Sequence, residues 1–488
     1  MTSDPLDLNI HLMHPGGPSA PGDPNVAFHI DGVYHLHYIV KHNWRENASF
    51  SFMHITSSDM LHWEWQETKL QPSFTDHGMF SGTGFITKEG YPAAIYHGQA
   101  SGSNQIIIAK DNQLSNWYKP YPIEIRGYDG EEIDIKHWDP DCFLIGETYY
   151  AITGGQNPGL IKSTDLKAWI YVGDFLKYEL PEVVIGEDIS CANFFPLGNR
   201  WMLLCISHPL GCRYYIGDWD TENEQFVPDT HGRMNWRREG QAIAEPLYRD
   251  FFAPESVKTA DGRRVMWAWC ATLDPDLDYK SIQSLPRELS LSGDGGLIIQ
   301  PLREIESLRD NLFTLDNIVV EPERRMNGGN AATLITGLSE ESYEIRILIE
   351  RAQAERKRFG FYLFANSECH GLPLIIKPET GTLRLGGSEA PFSVANLPVE
   401  QDIELRIFLD KYLVEVFING CQAMIAAHMD WRSSKGFYAY SFGGPTVIKR
   451  VDIWELKSTN QGYLDAKIDH VWKIDEKSCF LHQLITLT

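Results

Sequence analysis

Short runs in which apolar and polar residues alternate recur along the first 300 positions of the chain. Residues 33–38, 148–152, 200–205 and 264–269 each carry the period of two that turns one side of a strand toward a core. Between such runs a turn signature repeats. Ser58 to Trp63, Asp111 to Trp117 and Ser163 to Trp169 each read as a polar turn, a leucine, one or two spacers and a tryptophan, and the tryptophans lie 54 and 52 positions apart. Each copy follows a strand-like run, at 50–56, 105–109 and 159–162. The Asp or Ser can close the turn while Leu and Trp pack back onto the sheet. A unit of about 50 residues with four strands has the size of a propeller blade. The spacing of the runs predicts an all-β fold whose first part is a five-bladed β-propeller.

The pattern changes near residue 310. Residues 295–309 read as a strand followed by a short helical stretch. Beyond them, 343–349, 403–409 and 413–418 alternate strictly, with a hairpin expected around Asp410 and Lys411. Strands with one wet face are the signature of a β-sandwich. The expected division is a propeller over 1–312 and a sandwich over 313–488.

Composition narrows the ligand. The chain has 488 residues, with 14 Trp, 21 Tyr and 23 Phe, and 43 basic against 66 acidic side chains give a formal charge of -23. Such a surface repels nucleic acid, anionic membranes and polyanions, so a small neutral ligand is expected. The eight cysteines form no C-x-x-C pair, no metal-ligand spacing is present, and the thiols are read as reduced and mostly buried. No metal or cofactor is expected. The first dozen residues lack a basic cluster and an apolar core, and a cytoplasmic location is expected. Oligomeric state is left open.

Four clusters stand just ahead of strand-like runs, where a propeller turns side chains into its central funnel. Gly22-Asp23-Pro24-Asn25 precedes the first. In His137-Trp138-Asp139-Pro140-Asp141, Asp139 has an aromatic neighbour, Trp138, suited to stack on a sugar face. Residues 186–195 run from acidic, with Glu187 and Asp188, to apolar, and a carboxyl held near apolar rings is a proton donor. Glu255, in the cluster 250–256, is a candidate to hold a hydroxyl. Together they offer an ionised and a protonated carboxyl, the pair that glycoside hydrolysis requires.

In this order the clusters resemble glycoside hydrolase family 32, the invertase, levanase and inulinase group. Gly22 to Asn25 is similar to that family's Asn-Asp-Pro-Asn-Gly, Phe80-Ser81-Gly82-Thr83 to Phe-Ser-Gly-Ser, and Trp138-Asp139-Pro140 to Arg-Asp-Pro. Residues 190–193 fall where Glu-Cys-Pro-Asp is expected, 250–254 resemble Asp-Phe-Tyr-Ala-Pro, 285–289 match Leu-Pro-Arg-Glu-Leu, and 410–420 resemble the family's sandwich hairpin. The resemblance implies a five-bladed propeller with a sandwich and retaining cleavage of β-fructofuranosyl bonds in sucrose or short fructans, by hydrolysis or by transfer. Asp23 would be the nucleophile and Asp139 the group gripping fructose hydroxyls, with Asn25, Phe80 and Ser81 against the sugar. Ser190 stands where the family has its acid/base glutamate. Glu187 is the preferred substitute and Asp188 the second. A sugar-binding propeller without catalysis, or a furanosidase for another sugar such as an arabinofuranoside, are the alternatives.

Overall fold

The computed structural model describes residues 4–16, 20–177, 180, 187–236, 250–271, 282–322, 332–351 and 356–469. Gly186 and Cys479 lie outside them.

Five sheets follow one another along the chain. The innermost strand of each blade is Ala20–Ile30, Met79–Ile86, Asp141–Ile145, Ser190–Leu197 or Asp250–Lys258, and the later strands add antiparallel toward the rim, where Glu124–Arg126 joins the third blade as a parallel strand. The repeated turns link the third strand to the fourth. In the first copy Ser57 Oγ accepts the Met60 amide at 2.9 Å, and Asp59 Oδ1 accepts the Leu61 and His62 amides at 2.9 and 2.8 Å. Ser163 and Asp165 repeat this with Leu166, Lys167 and Ala168 at 3.0, 2.9 and 3.0 Å. The leucines and tryptophans of all three copies are buried, so the repeat marks the seams between blades.

After the last blade strand, Leu297–Pro301, a 3-10 turn over Arg303–Leu308 leads into Arg309–Val320, which belongs to the sandwich. The boundary read from the sequence, 312/313, falls inside that strand. The sandwich has two six-stranded sheets, and the expected hairpin is Ile403–Asp410 with Leu413–Ile418. A helix, Gln461–Asp469, follows. No described helix is long and apolar enough to cross a membrane.

Among the described strands no blade borrows one from the far side of the ring. Closure rests on contacts between the first and last blades, such as Gln283 Nε2 donating to Gly22 O at 2.9 Å and Trp63 meeting Trp267 edge-on at 5.9 Å. The N-terminal segment ties this seam to the sandwich. Met13 bridges Ile282 in the fifth blade, while Asp410 accepts the amides of Asn9, Ile10 and His11 at 2.8, 2.9 and 3.0 Å. His11 Nδ1 sits 2.9 Å from Asp410 and Nε2 3.4 Å from Glu415, all without exposure. Burial opposes a charge on His11, but the two carboxylates outweigh it and raise its pKa to about 9. Stabilisation by such a group is complete below its unfolded value of about 6.5 and lost as pH rises through the folded value. Thermal melts of the wild type and His11→Gln should therefore differ most near pH 6 and converge by about pH 9–10.

Of the seven described cysteines, all but Cys421 are buried.

Candidate active site

The innermost strands carry irregularities at the end nearest the funnel. Register shifts interrupt the pairing at Pro21/Pro24, Asn25/Phe28, Met79/Gly82, Ser190/Asn193 and Phe252/Pro254. Val26, Cys191 and Ala253 adopt φ of 46°, 47° and 32° there, and for β-branched Val26 this is a strained conformation. Bulges re-aim side chains that regular pleating would send to alternate faces. Gly82 is required at one of them: a Cβ would collide with the Ile95 carbonyl and Tyr96, and its amide donates to Asn25 Oδ1 at 2.8 Å.

The outcome is a cavity of about 370 Å³ with Asp23 and Asp139 in its wall. Ser81 Oγ donates to Asp23 Oδ2 at 2.7 Å, and Asn25 Nδ2 holds the Asp23 carbonyl at 2.8 Å. The Cys191 thiol lies between the two acids, 3.7 Å from Asp23 Oδ2 and 3.5 Å from Asp139 Oδ2. Burial raises the pKa of Asp23 against the pull of Ser81 and Cys191. Burial and then the neighbouring charge of Asp23 lift Asp139 to about 7. Two carboxyls in one dry well cannot both ionise easily, which favours a single shared charge near neutrality.

Aromatic rings form the mouth. Phe50 meets Phe80 at 4.7 Å, Phe80 stacks on His97 at 6.0 Å, and His97 leans on Trp138 at 6.0 Å. Trp138 is 38 % exposed, and Ile39, Lys41 and Trp269 complete the wall. The structure thus brings Asp23, Phe80, Ser81, Trp138 and Asp139 onto one cavity, with Asn25 bracing it. Lys41, His97 and Trp269 on second strands and Phe50 on a third strand escaped the sequence reading, because nothing local in the sequence marks which residues of these strands reach the funnel.

Three expected site residues sit elsewhere. Glu187 is buried in an ion pair with Arg213, so it is tied to the third strand of its blade, Gly211–Asp220, instead of presenting a proton to the cavity. Asp188 accepts the His208 amide at 2.9 Å, His208 Nδ1 at 2.6 Å and Ser190 Oγ at 2.9 Å. Burial works against its charge, but these donors hold its pKa below the ordinary value, so it is an anion. Glu255 is 2 % exposed and lines a different cavity, about 230 Å³, with Thr83, Asp141, Asn193, Ser256 and Arg264. Burial raises Asp141 to about 6 and Glu255 well above its usual value. Glu255 accepts the Val26 amide, and so reaches Asp23 only through the strained corner beside it.

His208, also missed, stands at the same end as the acids. Ser190 pairs with Ile206, so the turn after Ser207 emerges beside the start of the fourth innermost strand.

Comparison with known proteins agrees with this architecture. The model of the glycosyl hydrolases family 32 N-terminal domain matches residues 20–301, and that of the family 32 C-terminal domain matches 304–455. A raffinose invertase of Escherichia coli is 25 % identical over 91 % of this chain and 94 % of its own length. A levanase of Bacillus subtilis is 25 % identical over 89 % of this chain and 68 % of its own. Among solved structures, fructan 1-exohydrolase IIa from Cichorium intybus superposes with a TM-score of 0.73 at 18 % identity, covering 94 % of this chain and 98 % of that one. With both family models together spanning most of its length, the chain belongs to glycosyl hydrolase family 32.

Proposed function

We propose that the chain cleaves β-fructofuranosyl bonds in sucrose or short fructans by a retaining double displacement, with Asp23 as nucleophile and Asp139 gripping the fructose hydroxyls. The observation that carries the reading is the pairing of these two acids around the Cys191 thiol in one cavity. Asp23 is the more open of the two, and its Oδ2 is oriented by Ser81. An ionised carboxylate there can attack the anomeric carbon, and a glycosyl ester then awaits water or a second sugar. Relatives named raffinose invertase and levanase support the same bond class.

The wall bears on the substrate. Phe50, Phe80, Trp138 and Trp269 offer ring faces to the apolar side of a sugar, and Lys41 is the one cationic side chain described there. A neutral saccharide fits this surface. Free thiols at Cys142, Cys191, Cys205 and Cys421 suit a reducing compartment, in keeping with a cytoplasmic location.

The test is product analysis after incubation with sucrose, raffinose, inulin, levan and an aryl arabinofuranoside. Fructose or fructosyl transfer products are expected from the first four. Release of arabinose alone, or binding without turnover, would overturn the reading. Because burial raises the pKa of the nucleophile Asp23, the acidic limb of kcat/KM should lie above the ordinary carboxylate range and not near pH 4. An acidic limb near 4 would show that the two carboxyls do not share a well.

A further inference from the structure

Departure of a sugar alkoxide needs a proton, and the residues expected to give it do not. Ser190 has no acidic proton at neutral pH, Glu187 is paired with Arg213, Asp188 is held as an anion, and Glu255 lies outside the cavity. We propose that His208, anchored by Asp188, delivers this proton to the leaving oxygen and later takes one from the incoming water; the proposal rests on the fructofuranosidase reading above.

The geometry begins with Ser190. Its hydroxyl donates to Asp188 Oδ2, and that carboxylate accepts both the amide and Nδ1 of His208 at 2.9 and 2.6 Å. The residue occupying the place of the family's acid therefore holds the carboxylate that holds the imidazole. Neighbouring Cys191 touches both Asp23 and Asp139. On its other side the His208 ring meets Phe252 at 5.6 Å, and Phe252 meets Trp269, a wall residue of the cavity, at 6.4 Å. The His208 side chain is 56 % exposed, so protons can exchange with water between turnovers. The charged groups acting on it are Asp188, Asp139 and Asp23, all acidic, and the bond to Asp188 chiefly raises its pKa. An Asp–His pair of this kind fixes the tautomer through Nδ1 and presents Nε2 to the substrate.

The step balances. An Asp23 oxygen forms a bond to the anomeric carbon as the bond from that carbon to the leaving oxygen breaks. The electron pair goes to the leaving oxygen, which takes the Nε2 proton, and the imidazolium becomes neutral imidazole. In the second half the imidazole takes a proton from water as its oxygen bonds to the anomeric carbon, and the Asp23 carboxylate is released.

The test compares wild type, His208→Ala, Asp188→Asn and Asp23→Asn on two substrates. One is sucrose or inulin, whichever the wild type turns over faster; the other is β-fructosyl fluoride, whose leaving group needs far less proton assistance. For His208→Ala the natural sugar should lose roughly 10²–10⁴-fold in kcat, with less than about tenfold lost on the fluoride. Asp188→Asn should move the basic limb of the pH profile downward, because the imidazolium loses its counter-charge. Equal losses on both substrates in His208→Ala, no loss on either, or a basic limb unmoved in Asp188→Asn would overturn the proposal. Should His208→Ala fail to fold, the Asp188→Asn profile decides alone. Loss of both substrates in Asp23→Asn alongside an unaffected His208→Ala would reject the proton donor and keep the fructosidase reading. A wild type inactive on both substrates would reject both.

Discussion

Asp23→Asn should abolish release of fructose, lowering kcat on the order of 10⁴-fold or more, on sugars with good and poor leaving groups alike. The side chain keeps its shape and its contact with Ser81 but cannot form the glycosyl ester. The same substitution should raise thermal stability slightly at pH 7 to 8. Asp139 sits in the same well, its pKa lifted by burial and by the Asp23 charge, and removing that charge relieves the repulsion. Kinetics on sucrose and the fluoride, with a melting curve in parallel, check both halves. Retained turnover would remove Asp23 from the reaction, and a lowered melting temperature would show that its charge is structurally useful.

Arg287→Met should be the most damaging single change to stability. Arg287 reaches from the fifth blade to Glu415 in the sandwich hairpin, with Nη2 2.9 Å from Oε2 and no exposure of either side chain. Its Nη1 donates to Met234 O at 2.9 Å, and the guanidinium lies 4.0 Å over the Phe251 ring. Breaking a buried pair from one side leaves a desolvated charge and costs about 3–5 kcal/mol, which for a chain of this size corresponds to roughly 3–5 °C in the midpoint of a melt. Activity at 25 °C should persist, since Arg287 is not in the cavity wall. In Arg287→Met combined with Glu415→Gln the losses should be less than additive, because the stranded charge is gone. Simple additivity would mean that the two groups do not depend on each other.

The blades and the sandwich hairpin were legible because their signals are local. Ser-x-Asp turns and period-two alternation act within ten residues and need no distant partner. The resemblance at 285–289 and at 410–420 turns out to be one physical object, Arg287 with Glu415. Asp23 and Asp139 were legible as Asp-Pro pairs, although only Asp139 stands ahead of its innermost strand, while Asp23 lies within Ala20–Ile30. The proposed proton donor was not legible. Glu187 looked available until Arg213, from the neighbouring hairpin, was seen to neutralise it, and His208 lies in a short turn without periodicity. Glu255 was misplaced because parity along its strand fails at the Ala253 bulge, where Phe252 pairs with Trp269 and Pro254 with Ala268. Bulges have little signature in a single sequence, and they gather where function bends the sheet.

The strap of residues 7–13 has a bearing on synthesis. Blades can form one after another as the chain leaves the ribosome, each from contiguous sequence. The strap cannot take its place until Asp410 exists, 401 positions after Asn9, and Tyr463, whose hydroxyl binds Asp7 at 2.6 Å, comes later still. Nascent rings therefore wait unlatched, and the strap, made before the blades, is fixed only after the sandwich hairpin exists.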